Sequence, residues 1–396
     1  MQSNSSHAPQ LHSATAAEIM AGATTDVYFR RTVEIIEQAG LDKRVRAEFS
    51  VKALPGGVPW AVFAGLEEVL ALLDGIDLDL RGVPEGTLLR PWEPFMELSG
   101  SYLSFAILET AILGCVCQAS GIATKAARIR VLAGDRLVAS FGARRMHPAV
   151  APVIERAAFI GGCDGVSVVK SAELLGEDPT GTTPHSLMLL VGDTVDAMQL
   201  FDRIVPPEAP RIALIDTFQD EKFEAIRVAE ALGERLYGVR LDTPGSRRGD
   251  FAQILREVRW ELDLRGFQHV RLIVSGGLDE PDIAELYPLV HGFGVGTCIA
   301  NARVIDAGMD IVEIEGVPIA KRGKLSGAKQ VWRDPETLLD RMLPLAETPD
   351  DERLLPLLQP IIERGQRLAA LPAPRAIRQR VLDQLALVAH EVSPRV

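Results

Sequence analysis

The chain has 396 residues, 47 % of them hydrophobic and 24 % charged, a composition that excludes disorder as the main state. Roughly two domains are expected at this length, with a core that needs no staples. Forty-two basic against 54 acidic side chains give a net charge of −12, which argues against non-specific nucleic-acid binding and leaves room for a local basic site for a small anion. Four cysteines, Cys115, Cys117, Cys163 and Cys298, form neither a disulfide framework nor a Cys-x-x-Cys metal knuckle, and predict a reduced, cytoplasmic setting.

Residues 1–12 are polar, lack the apolar core of a signal peptide and read as a mobile tail. Residues 13–135 read as an N-terminal α/β and helical domain. In it, RAEFSVKA (46–53) is a strand stopped by the turn Pro55-Gly56-Gly57, and VFAGLEEVLALLDG (62–75) is a helix closed by Gly75. Residues 101–131 form a long helix. Its most apolar part, FAILETAILGCVC (105–117), is interrupted by Glu109 and Thr110. It falls short of the ~18–20 apolar residues of a membrane span, so a buried helix and no membrane partner are expected.

Residues 136–325 alternate short apolar runs with helical patterns. The runs lie at 136–141, 165–169, 211–216, 237–242, 270–275, 292–296 and 309–314, with helices at 149–160, 194–205, 221–233 and 250–264 between them. Continuous apolar strands joined by helices predict a parallel sheet covered on both faces, here an irregular (β/α) barrel one strand short of eight. Residues 326–396 read as a helical segment packing back on the body through the stripe Ile377, Val381, Leu385 and Val388.

In such a barrel, chemistry sits at the C-terminal ends of the strands. Polar residues, glycines and arginines follow six of the runs, which points to one site. Ser275-Gly276-Gly277 and Gly294-Val295-Gly296-Thr297 can present bare backbone N–H groups to a phosphate. Arg144, Arg145, Arg240, Arg247 and Arg248 form a basic cluster suited to carboxylate or phosphate oxygens. Arg240 lies between Val239 and Leu241 in an apolar run, so its charge needs a partner or a ligand. Asp216 and Asp242 end strands, where they can hold ribose hydroxyls or magnesium or merely cap helices. His185, in Gly181-Thr182-Thr183-Pro184-His185, opens a helix where N–H groups could stabilise an added phosphoryl group. His147 reads as structural.

These segments together resemble the nicotinate phosphoribosyltransferase family. The match runs from about residue 20 to 330 through TTDVYF (24–29), LETAILG (108–114), IATKAARI (122–129), FGARRMHP (141–148), GGCDGVS (161–167), GTTPHSL (181–187), IDTFQDE (215–221), VRLDTPGSRRGD (239–250), SGGLDE (275–280) and FGVGT (293–297). The resemblance implies a small α/β domain on an irregular α/β barrel. It implies that nicotinate and phosphoribosyl pyrophosphate give nicotinate mononucleotide and pyrophosphate, with Mg2+, and with ATP hydrolysis coupled through a phosphorylated His185. It also implies a homodimer or larger homo-oligomer with shared sites, in which Tyr28 enters the neighbour's site and stacks on the base. Arg144 is the arginine of the FG-x-R motif, and catalysis falls to His185, Asp216 and Asp242. Substrate binding falls to Tyr28, Arg144, Arg240, Thr183, Ser275, Gly276, Gly277, Gly294, Gly296 and Thr297, with no dedicated set of protein metal ligands.

The chemistry suits these residues. The pyridine nitrogen already has a free lone pair, so no general base is needed. The leaving pyrophosphate and a cationic sugar must be stabilised and held in place. The zinc knuckle of some relatives is absent, since no cysteine follows Cys298. Val168 stands where nicotinamide-using relatives carry an amide-holding Asp, which favours nicotinate. The competing readings are a quinolinate or nicotinamide phosphoribosyltransferase, a non-catalytic pyridine-nucleotide sensor, and a barrel lyase or aldolase with Lys170 as the Schiff-base lysine.

Overall fold

The computed structural model describes residues 11–55 and 59–392. Most of the expected tail, and Gly56 and Gly57 of the expected turn, lie outside the described residues.

After two helices, Ala16–Met20 and Val27–Ala39, the N-terminal part contributes three sheet strands, β1 (Arg44–Val51), β2 (Leu78–Gly82) and β3 (Pro94–Ser101). The helix expected at 62–75 is confined to Leu66–Leu72; Ala61–Val62 before it is a short strand, and Leu73 rather than Gly75 caps its end. A near-continuous helical run, Tyr102–Ala133, follows. It exceeds the expected length and is long and apolar enough to cross a membrane, but half of its most apolar window is buried within the protein. Ile112 and Val116 join the core under β1–β3, whereas Ala119, Ala123, Ala126 and Ala127 join the core of the next domain. Small residues allow the close approach: a Cβ on Gly121 would lie 2.3 Å from the Arg303 carbonyl oxygen.

Six parallel strands come next: β4 (Leu137–Ser140), β5 (Gly165–Val166), β6 (Ile212–Leu214), β7 (Gly238–Leu241), β8 (Arg271–Ser275) and β9 (Gly292–Val295). Their spatial order is β5-β4-β9-β8-β7-β6, and every neighbouring pair is parallel. The two end strands do not pair with each other, so the sheet is a curled half-barrel. Helices cover it, among them Ala151–Ile160, Thr194–Ile204, Glu221–Leu232 and Phe251–Leu264, close to the ranges expected.

Two expectations need correction. The seventh run is no barrel strand: β10 (Ala307–Ile314) pairs antiparallel with β1, at the other sheet. The segment after 325 is mainly strands: β11 (Val317–Pro318), β12 (Lys329–Arg333), β13 (Asp340–Pro344), β14 (Leu355–Pro356), β15 (Gln359–Glu363) and β16 (Gln366–Arg367), the first of them just ahead of that boundary. The N-terminal sheet therefore runs β11-β10-β1-β3-β2-β15-β16, and β13-β12-β14 form a small sheet of their own. Pairing with other strands, β12 with β13 and β14, and β15 with the distant β2, holds these segments extended where local periodicity gives no strand signal. Only Pro374–Val388 is a longer helix there, and it buries Ile377, Val381, Leu385 and Val388 as expected.

Candidate active site

The C-terminal ends of the half-barrel strands bring the expected residues His185, Asp216, Asp242, Arg240 and Ser275 together. His185 is the first residue of the helix His185–Val191. Its Nε2 lies 3.7 Å from Asp216 Oδ2 and 3.6 Å from Asp242 Oδ2. Its Nδ1 is 3.1 Å from the hydroxyl of Thr217. Asp216 and Asp242 follow β6 and β7, which places the two carboxylates on adjacent strand ends.

Asp216 is 2 % exposed, yet neither carboxylate oxygen has a hydrogen-bond partner. Burial pushes its pKa up and Asp242 adds repulsion, while His185 opposes both. Asp242 is better satisfied, since Ser275 Oγ donates to its Oδ1 over 2.6 Å. A Cβ on Gly276 would stand 2.9 Å from that same oxygen, and φ there is +91°, so the turn needs glycine.

Arg240 reaches the site from within β7. Its Nη1 donates to Thr182 Oγ1, and its Nε is buried without a partner. Burial pushes the guanidinium below its usual pKa, against the pull of Asp242 and Asp216, and Arg144 adds to the downward shift. Arg144 is exposed in the turn Ala143–Arg145 after β4. Arg248 donates to the carbonyls of Thr243 and Gly276 over 3.1 and 2.7 Å, fastening the loop after β7 to the glycine turn after β8. Arg247 shares that loop's short helix, Gly245–Arg248.

The two glycine turns border a cavity of about 680 Å³ through Gly277 and Thr297, with Thr124, Lys125 and Arg128 of the long helix on its opposite wall. His185, Asp216 and Asp242 lie outside that cavity's lining, across Ser275 and Gly276. Gly277, at φ +70°, has open space where a Cβ would be. Burial would raise the Glu280 carboxyl in the same wall, but hydrogen bonds from Arg128 and Lys125 outweigh it and hold the pKa below its usual value.

Other expected residues have different tasks. The Thr183 hydroxyl is buried, donates to the Ile212 carbonyl over 3.1 Å and accepts from Leu214 N–H at 3.3 Å, so it tethers its loop to β6. Gly294 lies inside β9, where a Cβ would meet the Phe141 ring at 2.4 Å; its small size seats that ring beside Ser275. Gly296 caps the short helix Thr297–Ala300. His147 accepts from Ala149 N–H and caps its own turn, as expected. The second run stops at Val166: Val168 caps the helix Val169–Leu175, and Lys170 is paired with Glu173 on that helix at 2.6 Å. Tyr28 belongs to the N-terminal domain, is 56 % exposed, and has Asp26 and Glu109 as charged neighbours. Sequence reasoning missed Thr182 and Thr217 as partners, and Arg248, expected in the anion-binding cluster, is instead bonded to two backbone carbonyls. Thr217 was findable as the hydroxyl directly after a strand-end carboxylate; Thr182 becomes a partner only through loop closure.

Residues 26–120 match the N-terminal domain and residues 122–310 the C-terminal domain of quinolinate phosphoribosyl transferase. Nicotinate phosphoribosyltransferase pncB2 of Mycobacterium tuberculosis is 30 % identical over 363 residues, covering 81 % of this chain and 77 % of its own length. The Bacillus subtilis nicotinate phosphoribosyltransferase is 30 % identical over 351 residues, covering 79 % and 70 %. The chain belongs to the nicotinate phosphoribosyltransferase family. A solved structure from Pyrococcus furiosus, described as nicotinate-nucleotide pyrophosphorylase, is 49 % identical with a TM-score of 0.93, covering 98 % of this chain and all of its own. Human nicotinic acid phosphoribosyltransferase shares the fold, with a TM-score of 0.74 at 21 % identity over 93 % of this chain and 94 % of its own.

Proposed function

We propose that this member of the family joins nicotinate to phosphoribosyl pyrophosphate, releasing nicotinate mononucleotide and pyrophosphate in NAD salvage in the cytoplasm, with ATP hydrolysis coupled through His185. The observation that carries the reading is the trio His185, Asp216 and Asp242, in which the buried Asp216 carboxylate faces His185 and accepts no side-chain hydrogen bond.

Each residue has a task that its surroundings explain. The buried Arg240 guanidinium lacks a partner at Nε and suits the carboxylate of nicotinate. Gly276, Gly277, Gly296 and Thr297 are the backbone donors for the 5′-phosphate. Asp242, oriented by Ser275, suits the ribose hydroxyls. Asp216 and Asp242 fit Mg2+, because two carboxylates on adjacent strand ends, one of them accepting no hydrogen bond, suit the protein share of a magnesium shell. Bound there, the ion would offset charge on the departing pyrophosphate. In the tautomer whose Nδ1–H donates to Thr217, 3.1 Å away, His185 keeps its lone pair on Nε2, the nitrogen that would take the γ-phosphoryl group of ATP with ADP leaving. The exposed Tyr28 would complete a neighbouring subunit's site, making a homodimer the smallest active unit.

A second reading, quinolinate as substrate, is favoured by the descriptions of the two matched domains and by its shared fold. One assay separates the two. The protein is incubated with phosphoribosyl pyrophosphate and magnesium, nicotinate, nicotinamide and quinolinate are offered in turn, with and without ATP, and mononucleotide is counted. Nicotinate should be preferred and stimulated by ATP. Faster turnover of either rival overturns the substrate assignment. His185→Ala should abolish ATPase activity and ATP stimulation but keep slow synthesis. If stimulation survives, His185 is no phosphoryl carrier. Mixing Tyr28→Ala with Asp242→Ala subunits should restore activity if sites are shared, and self-contained sites would stay inactive.

A further inference from the structure

The opposite end of the half-barrel carries a hollow that the reaction above does not use. It has a volume of about 300 Å³ and is lined by Arg136, Arg256, Arg259, Trp260, Asp263 and His291 among others. Arg136 immediately precedes β4 and His291 immediately precedes β9, so the hollow lies at the N-terminal ends of the strands. The site residues described above are at the other ends, about 15 Å away for a strand of this length.

Its charges are not all spent on the fold. Arg259 donates to the Val270 and Phe267 carbonyls over 2.6 and 2.9 Å and pairs with Asp263 at 2.7 Å, so those two charges cancel. Arg256 is exposed and has no hydrogen-bond or ion-pair partner among the described residues. Arg136 lies over the Tyr287 ring at 5.0 Å, donates from Nε to the Tyr287 carbonyl over 3.4 Å, and forms a long, exposed pair with Asp135 at 3.6 Å. His291 Nδ1 accepts from Leu272 N–H over 3.1 Å, which leaves the ring's proton on Nε2 as a further donor. In a chain of net charge −12, this is a local positive site.

The same hollow has an aromatic wall. Trp260 is 69 % exposed on the helix Phe251–Leu264. With Arg256 it also borders a second hollow of about 270 Å³. A bare indole beside the unpartnered Arg256 guanidinium offers one face for stacking a flat ring and a fork for an anion on the same ligand, with the loosely paired Arg136 on the same hollow. The volume is at the small end of ligand sites, ~300–1,000 Å³, which suits a mononucleotide and not a dinucleotide.

We propose that this basal hollow binds a mononucleotide, with its base stacked on Trp260 and its phosphate held by Arg256 and Arg136. The site is separate from the phosphoribosyl-transfer site and does not rest on its assignment. The test is equilibrium dialysis of the full chain against adenosine 5′-monophosphate, adenosine and inorganic phosphate. Wild type should hold the monophosphate at least tenfold more tightly than either fragment. Trp260→Ala and Arg256→Gln should each weaken it about tenfold or more, with the melting temperature and the nicotinate kcat and KM unchanged, because both side chains are on the surface away from the site. Monophosphate binding that neither variant alters, no binding at millimolar concentration, or phosphate binding as tightly as the monophosphate would each overturn the proposal.

Discussion

The two sheets treat buried charge in opposite ways. Beneath the antiparallel sheet, Lys329 meets Glu48 at 2.8 Å and two backbone carbonyls, with both charged side chains 6 % exposed. Arg333 binds Asp340 through two nitrogens and also holds the Leu88 carbonyl at 2.7 Å. At the half-barrel's strand ends, Asp216 is buried with neither oxygen partnered and Arg240 with Nε unpartnered. Charges matched in place hold a fold together; charges buried without a match are tolerated where a ligand completes them. A buried charge is thus a functional signal only when its partner is missing.

Four measurements can break or sharpen that contrast. The largest effect should come from Asp216→Asn. Synthesis of mononucleotide should fall by about 10²–10³-fold, while the melting temperature holds or rises, because an unpartnered buried charge has gone. A lower melting temperature would place Asp216 with the structural charges. Arg333→Met should show the reverse behaviour. It leaves Asp340 buried and unpaired, costing about 3–5 kcal/mol in urea unfolding, with kcat/KM of the folded protein unchanged. Arg240→Gln should lower kcat/KM for nicotinate by roughly 10–100-fold, the worth of one charged hydrogen bond, and hardly alter that for nicotinamide. Equal losses for both would mean that Arg240 does not read the carboxylate.

The smallest effect concerns Glu93, beside Asp340. Burial pushes its pKa up to about 8, and Asp340 adds to the shift, while Arg333 and Arg90 oppose it. The folded state therefore keeps a proton that the unfolded chain has lost. Above the ordinary carboxylate range the stability from this group falls as pH rises, until the folded group itself ionises near pH 8. Wild type should lose stability relative to Glu93→Gln between pH 5 and 8, read as a difference in melting temperature. A difference that stays flat across that range would show that the carboxyl pair shares no proton.

The half-barrel was legible because its evidence is local. Each strand is a short apolar run, each helix follows at once, and the polar residue after each run is at the site by topology. Asp216, Asp242 and Ser275 could be read this way, Arg240 as a charge inside an apolar run and His185 as the residue that opens a helix. The second sheet was not legible, because β1 pairs with β10 and β2 with β15, strands separated by hundreds of residues. No local pattern states that pairing. The run 309–314 was therefore assigned to the wrong sheet, and the strands after 325 were read as helix.

The sequence by itself determined which segments bury apolar faces, where glycine must stand, and which residue types end the parallel strands. These are properties of neighbours within about ten residues, set by side-chain periodicity and backbone sterics. Only the tertiary structure decided which polar group each of them meets. It took the Thr183 hydroxyl into β6, gave Gly294 to the Phe141 ring, set His185 between two carboxylates and left Asp216 without a hydrogen bond. Hydrogen bonds and ion pairs act over a few ångströms in space, and chain separation carries no information about them until the sheet has curled.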